Sequence, residues 1–244
     1  MHATYILLLF AITFIGGSLP LWFKNLNDKQ MHLLLAFSGS FLLSITFLHL
    51  LPETFTELGS KAGFYLLIGF FLQLILQRFT HGLEHGHVHI HEGDHHHHHV
   101  PLMSIMIGLS LHAFMEGLPL GFNYRMSGTE PSLYMAVAAH KLPEALLITS
   151  LFANNSTKSK SWLMLLLFSL ITPLGAIIAT KLGQSYYAMS QLVIMLIPVV
   201  AGAFIHISTT IFFESGTKHH MLTKQKILAI IGGMSIGLIT LLFE

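Results

Sequence analysis

Eight stretches of this sequence are each long and apolar enough to cross a bilayer: residues 3–23, 31–51, 62–79, 101–123, 131–152, 161–181, 187–213 and 225–243. A spanning helix needs about 20 mostly apolar residues, because hydrocarbon offers no partner to an unsatisfied backbone amide or carbonyl. The chain is 53% apolar and only 9% charged, whereas a soluble domain carries about 25% charge. It lacks the polar residues to cover a soluble surface. The expected fold is therefore an all-α integral membrane protein with eight transmembrane helices, residues 1–244 forming one domain. The first stretch is too long for the apolar core of a typical signal peptide and has no charged leader, so it reads as a span.

The connections are short and polar, except for residues 80–100. With eight spans both termini share a side. If that side is outside, the inner loops hold Lys24, Lys29, Arg78, Lys158, Lys160, Lys218, Lys224 and Lys226, and the outer ends hold only Lys61, Arg125 and Lys181. Basic residues accumulate on the cytoplasmic face. The expectation is thus a cell (inner) membrane protein with both termini outside and residues 80–100 forming a cytoplasmic loop between spans three and four. A formal net charge of +1 excludes the basic footprint of a nucleic-acid binder. With no cysteine, disulfides and thiolate metal sites are excluded as well.

"AFSGSFLLSITFLHLLPET" in the second span resembles "PVVAGAFIHISTTIFFES" in the seventh. A repeat of the first three spans by the last three gives a 3+2+3 arrangement with an inverted repeat, the fourth and fifth spans lying in the middle. Transporters of this kind bind substrate at the repeat interface near the midplane.

The pattern His-x-x-x-Glu occurs at His49/Glu53, His112/Glu116 and His140/Glu144. Residues four apart share a helix face, so each span presents an imidazole and a carboxylate in one direction. Nitrogen and oxygen ligands without sulfur suit zinc and related divalent metals. One such pair alone is as well explained by polar contacts between helices. Two pairs in neighbouring spans favour a metal site, since ionisable groups in a membrane are costly. His49 and Glu53 lie at a span end, where Glu53 is either an entrance residue or a solvated helix terminus. Pro143 frees the carbonyl of Ala139 beside His140, and Pro119 that of Met115 beside Glu116; a packing kink explains either proline equally well.

"LHAFMEGLPLGF" and "AAHKLPEALL" resemble the paired motifs of the ZIP family of zinc and iron transporters, and "HLLPE" in the second span resembles that family too. The resemblance implies a 3+2+3 bundle that brings divalent metal into the cytoplasm. By motif position it implies a primary metal site of His49, His112, His140 and Glu144. Relatives often hold a second, adjacent metal, with ligands from Glu116, the position after each motif histidine and an acidic residue in the sixth span. Here those positions are Ala113 and Lys141, and the span Ser161–Lys181 has no acidic residue. A Lys ammonium is a compact point charge. Lys141 is therefore expected to pair with Glu116 and replace the second metal, the alternative being that it snorkels to an interface. The sequence leaves oligomeric state open; a homodimer is what the family suggests.

Ten of the 18 histidines fall within residues 80–99. His85, His87, His89, His91, His95, His96, His97, His98 and His99 form a tract expected to bind metal weakly and adaptably, as a receiver or buffer for metal leaving the pore; a dispensable solvated linker is the plainer reading. His206 and Glu214 in the seventh span mirror His49 and Glu53, as pathway residues or as ordinary interhelical contacts.

The leading function is a divalent metal importer, with Zn2+ as substrate and Fe2+, Mn2+ or Cd2+ also fitting, working in a lipid bilayer. An intramembrane zinc hydrolase, with Glu116 or Glu144 as general base, would use the same metal, but its His-Glu-x-x-His motif is absent. A metal exporter is the third reading. No enzymatic activity is expected.

Overall fold

The computed structural model describes residues 3–23, 28–80, 102–121, 130–185, 187–214 and 223–243. The described residues are helical apart from Phe23, Gly59, Ser60, Ser156, Thr157 and Thr223, with no strand among them. The helices are α1 (Ala3–Trp22), α2 (Asp28–Ile45), α3 (Leu51–Leu58), α4 (Lys61–Thr80), α5 (Leu102–Gly121), α6 (Glu130–Asn155), α7 (Lys158–Ser185), α8 (Tyr187–Glu214) and α9 (Lys224–Thr240). Taking α2 and α3 as one span, seven are long and apolar enough to cross a membrane by length and composition. The eighth, α9, has 17 residues, about 26 Å at the α-helical rise, and a 3₁₀ turn Leu241–Phe243 extends it.

Side-chain placement fits a bilayer. Leu163, Leu167, Leu174 and Ile178 of α7 and Leu228, Ile231 and Leu238 of α9 face outward, as do Phe64, Leu67, Phe71 and Ile75 of α4. Continuous apolar surface on this scale marks contact with lipid or another protein. Inside, Leu42, Ile45, Leu50, Leu120, Val137, Val200 and Phe204 form a core drawn from α2 and the turn that follows it, α5, α6 and α8.

The repeat is visible in how helices pair. α2 packs along α9 and α8 along α4; α1 packs along α6 and α7 along α5. Exchanging spans one, two, three and four for six, seven, eight and five converts each pair into the other. Small residues make these seams close. A Cβ on Gly233 would strike Ser40 and Phe37, one on Gly69 or Gly202 would strike the partner backbone across the α4–α8 seam, and one on Gly17 would meet Ala145. Without a hydrophobic drive between helices in lipid, such close approach is what holds spans together.

The helical stretch that runs furthest past the sequence reading is in the second span. The second span does not stop at Pro52. Thr46–Leu50 form a π-turn, Leu51 N–H bonds to Thr46 O, and the helix resumes as α3 with Pro52 in its first turn. Pro52 cannot donate to the carbonyl of Leu48, and its ring crowds that carbonyl in a regular helix. The widened turn accommodates the ring. Such turns are frequent at functional positions, and this one contains His49.

Candidate metal centre

α5 and α6 are the middle helices of the chain, and their i,i+4 pairs face each other. His112 and Glu116 come from α5, His140 and Glu144 from α6. Their ligand atoms all lie within 4.8 Å of one another. His112 Nε2 is 3.2 Å from Glu116 Oε1 and 3.8 Å from Glu144 Oε1, and His140 Nε2 is 3.8 Å from Glu116 Oε1. Ligands held at the usual 2.0–2.2 Å in a tetrahedral zinc site stand about 3.3–3.6 Å apart. The 3.2 Å and 3.8 Å pairs are already within tenths of an ångström of that spacing, and a pair at the 4.8 Å limit has about an ångström to close.

All four side chains are at most 1% exposed. Even so, His112 Nε2, both ring nitrogens of His140, Glu116 Oε1 and Glu144 Oε1 have no hydrogen-bond partner. A buried polar atom left unsatisfied costs about 1–3 kcal/mol. Several of them converging on one point is not a packing arrangement; it is a set of lone pairs fit for a cation.

Lys141 sits behind this set. Its side chain is fully buried and so does not snorkel. Nζ is 2.5 Å from Glu116 Oε2, an ion-pair approach rather than an aligned hydrogen bond, and it also donates to Glu144 Oε2. Phe168 of α7 lies beneath it, with Nζ 5.1 Å from the ring centroid, a favourable cation–π distance. Each carboxylate therefore spends one oxygen on Lys141 and turns the other toward the imidazoles. The sequence points to the Glu116 partner; Glu144 as a second partner and Phe168 as the floor are legible only in three dimensions.

α7 backs the site through glycine. Gly117 lies against the Thr172 carbonyl and Gly175 against the Phe114 carbonyl, so α5 and α7 touch backbone to backbone. Gly117→Leu is expected to push α5 off α7. Overpacking of this kind costs about 1–3 kcal/mol, and here it also displaces His112 and Glu116. A lower melting temperature together with weaker zinc binding in purified protein checks this; an unchanged pair of values would contradict it.

The other residues named from sequence fall elsewhere. His49 is buried in the π-turn but stands outside the four-residue group, its Nε2 2.7 Å from Thr240 Oγ1. Glu116, which the family resemblance puts at a second, adjacent site, lies within the four-residue group. Glu53 is half-buried in the first turn of α3. His206 Nε2 is 3.0 Å from Gln77 Oε1 across the α4–α8 seam, and Phe70 meets the ring edge-on. Glu214 ends α8, and its side chain lies outside what is described, as do His85, His87, His89, His91 and His95–His99. A cavity of about 1050 Å³ among the ends of α5, α6 and α7, lined by Leu102, Phe152, Asn155, Lys160 and Met164, touches none of the four ligand residues.

Among curated proteins, none matches the chain. The family described as "ZIP Zinc transporter" does match, over residues 2–105 and 83–242. Those two segments take in all the helices, the α5–α6 cluster included. With a buried His/Glu group fit for a metal inside a helical membrane protein, the match has one consistent meaning: the chain belongs to the ZIP zinc transporter family, and it is a transporter of divalent metal, not an enzyme.

Proposed function

We propose that this protein imports zinc into the cytoplasm, one ion at a time, through His112, Glu116, His140 and Glu144. The observation that carries the reading is the convergence of buried, unpartnered nitrogen and oxygen lone pairs from α5 and α6. Zinc accepts such ligands readily and keeps no geometric demand of its own. Iron(II), manganese and cadmium fit the same donors.

Charge supports binding followed by release. Glu116, Glu144 and Lys141 sum to −1 when the imidazoles are neutral. A divalent ion brings the cluster to +1. Neither state carries two net charges in a dry interior, so neither is a deep trap. Without Lys141 the empty cluster would stand at −2.

His49, in the π-turn and outside the four-residue group, is a ligand on the route to or from the cluster. The inward direction rests on the family resemblance, and the eight inner against three outer basic residues support an orientation with the termini outside. On that orientation His85–His99 lie in the cytoplasm as a receiver for emerging zinc. Metal leaves the cluster as the two repeat units rock against each other.

Direction and selectivity are tested together in proteoliposomes. A protease site placed within residues 85–99 reports which face each vesicle exposes, and a trapped zinc indicator reports flux. Zinc is expected to accumulate when it is supplied on the face opposite the cut, with cadmium, iron(II) and manganese as competitors. Flux only from the cut face would identify an exporter.

A further inference from the structure

Gln73 of α4 is fully buried, and neither its amide oxygen nor its amide nitrogen has a hydrogen-bond partner. Among the described residues outside the four-residue group, it is the one buried side chain with two polar atoms left in that condition. An unpaired amide in a dry interior is costly, and a leucine would fill the space without that cost. Gln77, one turn further along α4, shows what a packing role looks like: its Oε1 is 3.0 Å from His206 Nε2 across the α4–α8 seam. Gln73 has no such contact.

The neighbours of Gln73 on its helix fix its place. Gly69, Gln73 and Thr80 fall on one stripe of α4. Gly69 lies against the Val199 backbone of α8, and Thr80 against Gly108 of α5. Gln73 therefore stands between them, in the wedge where α4 meets both helices. Thr80 is seven residues inward of Gln73, about 10 Å at the α-helical rise. The same rise from Gly108 along α5, which runs the opposite way, reaches Met115, between His112 and Glu116. Gly108, His112 and Glu116 are four apart and share one stripe of α5; that stripe meets α4 at Gly108 and enters the cluster at His112. Gln73 is thus at the depth of the cluster, on its α4 side.

We infer that Gln73 is a further metal-binding residue on the transport path: beside the four-residue group, its amide oxygen takes the divalent cation as a neutral ligand while the ion still carries water. The inference rests on the reading that the α5–α6 cluster carries zinc. A partly hydrated ion satisfies both ends of the amide, the cation at Oε1 and a water oxygen at Nε2–H. Neutral carbonyl oxygens are ordinary ligands of hard divalent ions and suit zinc less well than imidazole does. Gln73 is therefore a staging ligand for the same single ion, and the cluster remains its resting place.

The test uses the full chain in proteoliposomes. Gln73→Leu removes both polar atoms and keeps the bulk. It is expected to leave the melting temperature at or above the wild-type value, since the unpaired amide is gone, and to lower kcat/KM for zinc about 10-fold. Wild-type uptake in the folded variant overturns the proposal. A second variant uses the absence of cysteine from the chain. Gln73→Cys installs a lone soft ligand, which favours cadmium over harder ions. Cadmium is expected to block zinc uptake by Gln73→Cys at a concentration about 10-fold below that needed in wild type. Ile75→Cys, on the outward face of α4, is expected to behave as wild type. Equal cadmium sensitivity in all three proteins overturns the proposal, and this arm decides the matter where Gln73→Leu does not fold. His140→Ala in the same vesicles separates the two levels. Wild-type uptake there overturns the cluster reading and the role of Gln73 with it; uptake lost in His140→Ala and intact in Gln73→Leu overturns the role of Gln73 alone.

Discussion

Lys141→Ala is expected to damage the protein more than Lys141→Ala combined with Glu116→Gln. The single change leaves two carboxylates, Glu116 and Glu144, facing each other in a dry interior with their counter-charge removed. Breaking a buried ion pair from one side costs about 3–5 kcal/mol, a large share of the stability of an ordinary fold. Neutralising Glu116 in the same chain removes one of the two stranded charges, so a substantial part of that loss should return. Thermal unfolding of the detergent-solubilised protein measures both variants against wild type. Equal destabilisation in the two would show that Lys141 does not act through Glu116. Lys141→Met gives the cavity-free control: it fills most of the space over Phe168 while still removing the charge, so it should track Lys141→Ala and not wild type.

The second large effect is on the ligands themselves. His140→Ala and Glu144→Ala are each expected to reduce zinc uptake by well over an order of magnitude. Loss of a partner that merely orients a ligand already costs about 10–100-fold, and these substitutions remove the ligand. They are expected to be tolerated by the fold. His140 has both nitrogens without partners, so deleting it relieves unsatisfied polar atoms; deleting Glu144 relieves Oε1 and removes its Oε2 contact with Lys141, which keeps Glu116 as its counter-charge. The signature is thus a protein that folds normally and does not transport. A variant that fails to fold would indicate a structural polar network instead.

The α5–α6 motifs are legible because they break a simple rule: charged and imidazole side chains, four apart, stand in stretches that should be apolar. Spacing alone then puts each pair on one face. The inverted repeat is half legible, through the second and seventh spans, and its counterpart in helix packing needs three dimensions. Three features escape the sequence for physical reasons. The π-turn at Thr46–Leu50 leaves no compositional mark beyond Pro52 two residues later. Thr240 sits in "GLIT", an ordinary end to an apolar span, and its partner is 191 residues away. That Glu116 lies within the four-residue group and His49 outside it follows from helix packing, which no periodic pattern encodes. Lys141 is the intermediate case: its cost in a membrane announces a function, one partner follows from family motif positions, and the second follows only from the i,i+3 geometry within α6.

The central claim is that one divalent cation occupies the α5–α6 cluster, Lys141 standing where relatives place a second. The measurement that tests it most directly is the number of zinc ions bound per chain at equilibrium. It is made on protein lacking residues 85–99, which removes the histidine tract as a competing sink. One zinc per chain in the wild-type pore, and none in His140→Ala/Glu144→Ala, is the predicted result. Two zinc ions per chain, or one that survives the double substitution, would contradict it.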